Sequence, residues 1–254
     1  MTQADKAAAF AALQVKGNPF VLFNIWDAGS AAAVVTVGAP AVATGSWSVA
    51  GAQGYADGEA IPRDFLLHLA SRIAETVDVP LTVDFEGGYA VEPEPLAENI
   101  RALIASGAVG LNFEDQVVGG EGLHAIEAQA ARIRAIGKAA EEAGVALFIN
   151  ARTDLFLKER DPAAHAGLMA AAIERAAAYA EAGASGFFAP ALVTPDLIGQ
   201  LCGAVALPVN IMALPGAPDR AALADLGVAR ISHGPGPWRA MQKWLADAAA
   251  AAMR

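Results

Sequence analysis

Asp84 and Glu86 stand two residues apart at the end of the apolar run LTVDFEGGYA, residues 81–90. On an extended strand, residues i and i+2 face the same side, so the spacing predicts two carboxylates directed into one volume. Like charges held that close repel each other unless a proton or a cation intervenes. A hard divalent ion with a preference for oxygen ligands, Mg2+ or alternatively Mn2+, relieves that repulsion. A lone Asp-x-Glu also opens loops and caps helices, so the rest of the chain has to decide.

The elements that must carry this pair follow a regular plan. Short β-rich apolar runs alternate about eight times with longer alanine-rich helical runs. Strands are predicted near 20–25, 40–44, 80–85, 108–114, 145–150, 185–190, 207–211 and 229–232. Helices are predicted near 28–37, 63–77, 94–106, 125–143, 163–182, 195–203, 218–226 and 237–252. This alternation is the pattern of parallel βα units and predicts an α/β fold, a (β/α)8 TIM barrel. A length of 254 residues suits one such barrel, expected as a single domain over 1–254. The turns SGAVG (106–110), EAGVA (142–146), EAGASG (181–186) and DLGVAR (225–230) each place a glycine where a helix ends and a strand begins. The last stretch, WRAMQKWLADAAAAAMR, is amphipathic, with Trp238, Met241, Trp244 and Leu245 at helical spacing, and packs either on its own barrel or on a partner subunit.

Composition excludes several function classes. Hydrophobic residues make up 55% and charged residues 17%, enough apolar surface for a large core. A net charge of -10 with scattered basic residues argues against nucleic acid, which needs clustered lysine and arginine. Cys202, the single cysteine, provides neither a disulfide nor a thiolate zinc cluster and reads as a buried, inert thiol. The N-terminus lacks a signal-peptide apolar core, and no unbroken apolar run of about 18 residues occurs, so the expectation is a cytoplasmic protein without a membrane partner.

In barrels of this kind the chemistry gathers at the C-terminal strand ends. Those ends carry Asn24, Trp26 and Asp27; Gly45, Ser46, Trp47 and then Asp57; Asp84 and Glu86; Asn112, Glu114 and Asp115; Asn150 and Arg152; Asn210; and Ser232 and His233. The prediction is that Asp57, Asp84, Glu86 and Glu114 converge on one rim with Arg152 opposite. Mg2+ suits such a set, bound through few direct ligands and through waters held by outer carboxylates. Arg152 is then free for a substrate carboxylate, which its planar fork fits. All five lysines fall outside the predicted strand ends, leaving no Schiff-base amine, and no GxGxxG follows a strand. The loops LPGAPDR and SHGPGPW suit phosphate binding or plain turns.

The segments FNIWDAGSA (23–31), GYADGE (54–59), VDFEGGYA (83–90), GAVGLNFEDQ (107–116) and LFINARTD (147–154), in this order and spacing, resemble the isocitrate lyase and phosphoenolpyruvate mutase superfamily. The resemblance spans nearly the whole chain. It implies a tetramer whose C-terminal helices swap between subunits, or at least a homo-oligomer, and a Mg2+ site for a 2-oxo acid or its enolate. By position, Asp84 matches the direct metal ligand, and Asp57, Glu86 and Glu114 match the acids that hold metal-bound waters. Gly45, Ser46 and Trp47 match the turn whose backbone N–H groups hold the substrate carboxylate. Arg152 matches the arginine that contacts substrate, and Asn210 falls near the substrate end of the pocket.

The departures redirect the functional expectation. Isocitrate and methylisocitrate lyases carry a Lys-x-Cys-Gly-His loop after strand 4, and the mutases carry Lys and Asn there. This chain has QVVGGEGLHAIEAQ, with none of those side chains before His124, and Glu86 stands where an aspartate is usual. Chelation of a 2-oxo acid by Mg2+ permits loss of a neighbouring carboxylate through a stabilised enolate without a base to start it. The expectation is a Mg2+-dependent lyase or decarboxylase of a small 2-oxo or 2-hydroxy acid resembling oxaloacetate. His233, His124, Tyr89 or a metal-bound water is then the proton donor. The alternatives are a phosphonopyruvate-type P–C mutase or hydrolase and a non-catalytic 2-oxo acid binding homologue.

Overall fold

The computed structural model describes residues 1–254. Nine parallel strand segments follow the order β1-β9-β8-β7-β6-β5-β4-β3-β2. β1 (Phe20–Leu22) pairs with β9 (Arg230–Ser232), and β2 (Asn24–Ile25) pairs with β3 (Val42–Thr44). β1 and β2 are therefore two halves of one strand interrupted at Phe23, and this strand closes a nearly complete (β/α)8 barrel. The other staves are β4 (Leu81–Asp84), β5 (Gly110–Glu114), β6 (Phe148–Arg152), β7 (Gly186–Phe188) and β8 (Val209–Met212). All eight predicted strands are present.

The surrounding helices are α2 (Ala28–Thr36), α4 (Arg63–Thr76), α5 (Pro93–Ala105), α6 (Ile126–Glu142), α8 (Met169–Glu181), α9 (Pro195–Ala204), α10 (Arg220–Asp225) and α11 (Gly236–Ala252). Apart from α11, their apolar faces and the sheet bury one continuous core. The four helix-ending glycines, Gly107, Gly144, Gly183 and Gly227, all adopt positive φ. Gly107 is the most constrained: at φ 94° an added Cβ would also meet the Ala74 methyl at 2.8 Å.

Three helices were not predicted. α1 (Gln3–Ala12) starts with a capping box between Thr2 and Asp5, a signal present in the sequence. Its Phe10 is fully buried and packs edge-on against Phe20 and Phe148, closing the barrel end where the strands begin. α3 (Ser46–Ala52) and α7 (Leu155–Lys158) are short and follow strand ends, where length and composition give little helical signal. The helix predicted at 163–182 is split into a 3-10 segment, Pro162–Leu168, and α8. No helix is long and apolar enough to cross a membrane.

Candidate active site

A cavity of about 410 Å3 opens at the C-terminal end of the strands. Asp84 ends β4 and lines it, with only 8% of its surface exposed. Oδ2 of Asp84 accepts the Ser46 N–H at 3.0 Å, and its own N–H donates to Thr44 Oγ1 at 2.9 Å. Gly45, in extended conformation, leads into α3, so the first N–H of that helix points at the aspartate. Gly45, Ser46 and Trp47 all line the cavity, as does Asp57 from the exposed loop beyond.

Glu86 differs from the strand-alternation prediction. β4 stops at Asp84, and Glu86 takes a left-handed backbone (φ 49°), so the period of two does not relate the two acids. Glu86 is buried behind the cavity wall, where its Oε2 accepts the Glu59 N–H at 2.8 Å. Burial first, then Asp57 and Asp84, push its pKa up to about 8. Glu114 ends β5 and is also buried outside the cavity lining; burial raises its pKa against the pull of Arg152. The Asp57 pKa is raised by desolvation and by Asp84. Two of the four predicted acids thus face the cavity and two stand behind it.

Arg152 is not opposite these acids but among them. Nε and Nη2 donate to the two oxygens of Asp154 at 2.6 and 3.0 Å, and Nη1 lies 3.0 Å from Glu114 Oε2 and 3.9 Å from Asp84 Oδ1. Burial opposes its charge, yet Glu114, Asp154 and Asp84 together raise its pKa and hold it protonated. Arg152 therefore does not wait unpaired for substrate, although it lines the cavity. The sequence signal for its partner was the Asp154 of LFINARTD.

Three other predicted residues sit outside the cavity. Asn210 is buried beneath it, accepting from Asn150 Nδ2 at 3.2 Å and donating to Ser232 Oγ at 3.2 Å; two residues on, Met212 takes its expected place in the wall. His233 turns its ring onto Phe23, with centroids 4.9 Å apart, while its N–H donates to Asn24. His124 lines a separate 230 Å3 cavity with Tyr89, Glu59 and Arg132. Burial lowers the pKa of both histidines. The loop carrying His124 is a short return, with Gln116 bridged to Leu123 and the His124 N–H bonded to the Asp115 carbonyl.

The structure also corrects the reading of the lysines, because Lys158 of α7 lines the main cavity, as does Arg239 of α11. Neither follows a strand directly, so a census of strand ends misses both.

The donor set fits a hard cation. No three His, Cys, Asp or Glu side chains are spaced to ligate one ion together. Asp84 at the cavity floor, with carboxylates of raised pKa around it, suits an ion held by one direct ligand and by waters.

Comparison with known proteins places the chain in a family. A family model described as phosphoenolpyruvate phosphomutase matches residues 10–253. The chain belongs to that family. Within the wider phosphoenolpyruvate mutase and isocitrate lyase superfamily, it resembles the crystal structure of a candidate phosphonomutase from Burkholderia cenocepacia J2315. The identity is 47% and the TM-score 0.94, over 97% of this chain and 98% of that one. The 2-methylisocitrate lyase of Escherichia coli K12 is 31% identical over 79% of this chain and 67% of its own length. A phosphonopyruvate hydrolase solved with oxalate and Mg2+ shares the fold, with a TM-score of 0.83 and 22% identity over 97% of this chain and 85% of that one. The superfamily thus has lyase and P–C bond members.

Proposed function

We propose that this chain is a Mg2+-dependent lyase or decarboxylase that breaks a carbon–carbon bond of a small 2-oxo or 2-hydroxy acid of the oxaloacetate type. The observation that carries this reading is a cavity lined by Asp84 and Asp57 and by no cysteine or histidine. Asp84 would hold the ion directly, and Asp57, Glu86 and Glu114 would hold waters around it. The complex of a same-fold phosphonopyruvate hydrolase with oxalate and Mg2+ supports the choice of ion. Bound there, Mg2+ would polarise the keto group and take up charge as the neighbouring bond breaks. Arg152, fixed by Asp154, orients the substrate carboxylate through its remaining edge. Decarboxylation needs no base to begin, so this reading calls on no proton-abstracting side chain, and water entering the mouth supplies the final proton.

The test is to incubate the protein with Mg2+ and oxaloacetate, methylisocitrate and phosphonopyruvate in turn, following pyruvate, succinate and phosphate. Metal-dependent pyruvate from oxaloacetate that disappears in Asp84→Ala is the expected result. Silence across the panel, with oxalate still binding through Mg2+, would replace an enzyme with a 2-oxo acid binding protein. A second reading, P–C bond chemistry, is favoured by the 47% identical candidate phosphonomutase. Phosphate or phosphoenolpyruvate from phosphonopyruvate would establish it; the absence of Lys and Asn from residues 116–124 counts against it.

A further inference from the structure

The largest fully buried side chain of the protein is a cation inside the barrel. Arg230 opens β9 with 1% of its surface exposed, and it shares a strand face with Ser232, which lines the main cavity two residues further on. Its guanidinium meets a single acceptor: Nη2 donates to Asn112 Oδ1 at 3.3 Å, whereas Nε and Nη1 have no partner. Asn112 Oδ1 also accepts from Asn150 Nδ2 at 2.8 Å, and Asn112 Nδ2 lies 3.5 Å from Asp84 Oδ1. One amide thus links the buried guanidinium to the carboxylate of the candidate ion site. Arg152 is neutralised by Asp154 and Glu114, but no carboxylate pairs with Arg230; the acid whose charge bears on it is Asp84. An unpaired charge is costly to bury, and an apolar chain of similar volume in its place is often neutral or stabilising. Packing therefore does not account for a guanidinium at this position. Its field does, because in a dry interior a charge acts on others several ångströms away with little screening.

We propose that Arg230 is a positioning residue that acts through Asn112 on Asp84 and sets the electrostatic bias of the site. It lowers the affinity for a bare divalent cation and raises the affinity of the cation-loaded site for an anion. The sign follows from the charges: a fixed positive group behind Asp84 repels an arriving cation and attracts an arriving carboxylate. This inference rests on the proposed Mg2+ and 2-oxo acid reading and concerns how that same site is tuned.

Calorimetric titration tests it with Mg2+ alone and then with oxalate added to the Mg2+-saturated protein. Arg230→Met and Arg230→Gln remove the charge, and Arg230→Lys keeps it. Both neutral variants are expected to bind Mg2+ about threefold or more tightly than the parent and oxalate about threefold or more weakly, while Arg230→Lys stays near the parent for both. A packing defect would weaken the two ligands together, so the opposed shifts identify an electrostatic role. Any pattern without those opposed shifts overturns the role of Arg230 alone. Failure of both neutral variants to give a cooperative thermal melt marks the guanidinium as a structural group and also overturns it. Failure of the parent to bind Mg2+, or to bind oxalate once loaded, overturns the Mg2+ and 2-oxo acid reading and this inference with it.

Discussion

The Ser46 N–H donates to Asp84 Oδ2 at 3.0 Å, so the start of α3 and the end of β4 hold each other at the cavity floor. That bond fixes one carboxylate oxygen and leaves the other, 3.9 Å from Arg152 Nη1, turned toward the acid cluster. Asp84 is therefore the residue on which the proposed Mg2+ site rests. At a Mg2+ concentration a hundredfold above Kd, linkage stabilises the fold by about 2.7 kcal/mol, a rise in Tm of roughly 5–10 °C for a chain of this size. Asp84→Ala abolishes that rise, and EDTA removes it from the unmodified protein. A thermal melt with and without metal measures both.

Asp154 holds Arg152 in a two-point pair, and its loss leaves Nε and Nη2 without partners. Asp154→Ala is expected to lower kcat/KM for oxaloacetate by about tenfold or more while Mg2+ still raises Tm. Steady-state assays paired with the melt separate loss of orientation from loss of metal.

Asp115, fully buried, accepts from the Tyr179 hydroxyl at 2.9 Å, from Arg175 at 3.1 Å and from the Asp154 N–H at 3.0 Å. Arg175 also donates to the His124 carbonyl, anchoring the short loop. Tyr179→Phe leaves one of these contacts unmade in a buried carboxylate and costs about 1–2 kcal/mol. Urea unfolding, with a slope unchanged from the parent protein, is the measurement.

Burial pushes the Cys202 thiol up to about 11. The folded state therefore favours the protonated thiol. Its contribution to stability is complete below the ordinary thiol value and is lost as pH rises through about 11. At pH 8 a thiol reagent is expected to leave the folded protein unmodified and to react at once in urea. Rapid labelling of folded protein at pH 8 would contradict the buried placement.

α11 has no buried residue, and Trp244 and Leu245 are 66% and 54% exposed. An apolar face of this kind suits association with a second copy, as a dimer or tetramer. Light scattering of Trp244→Glu should then give a smaller particle than the parent, whereas an unchanged monomer in both would exclude that role.

The sequence by itself located the eight strands and the helix-ending glycines, because strand and helix periodicities and turn glycines are local properties of the chain. It also named Asp57, Asp84, Glu86, Glu114 and Arg152 as one group. Which of these acids face the cavity was decided by tertiary structure: the left-handed backbone at Glu86 turns that side chain behind the wall, and Asp154 captures the arginine. His233 was drawn onto Phe23 for the same reason, since a ring at a strand end packs wherever an aromatic neighbour arrives. Lys158 and Arg239 were invisible to a census of strand ends, because they reach the cavity from helices and only barrel closure brings α7 and α11 to the same mouth.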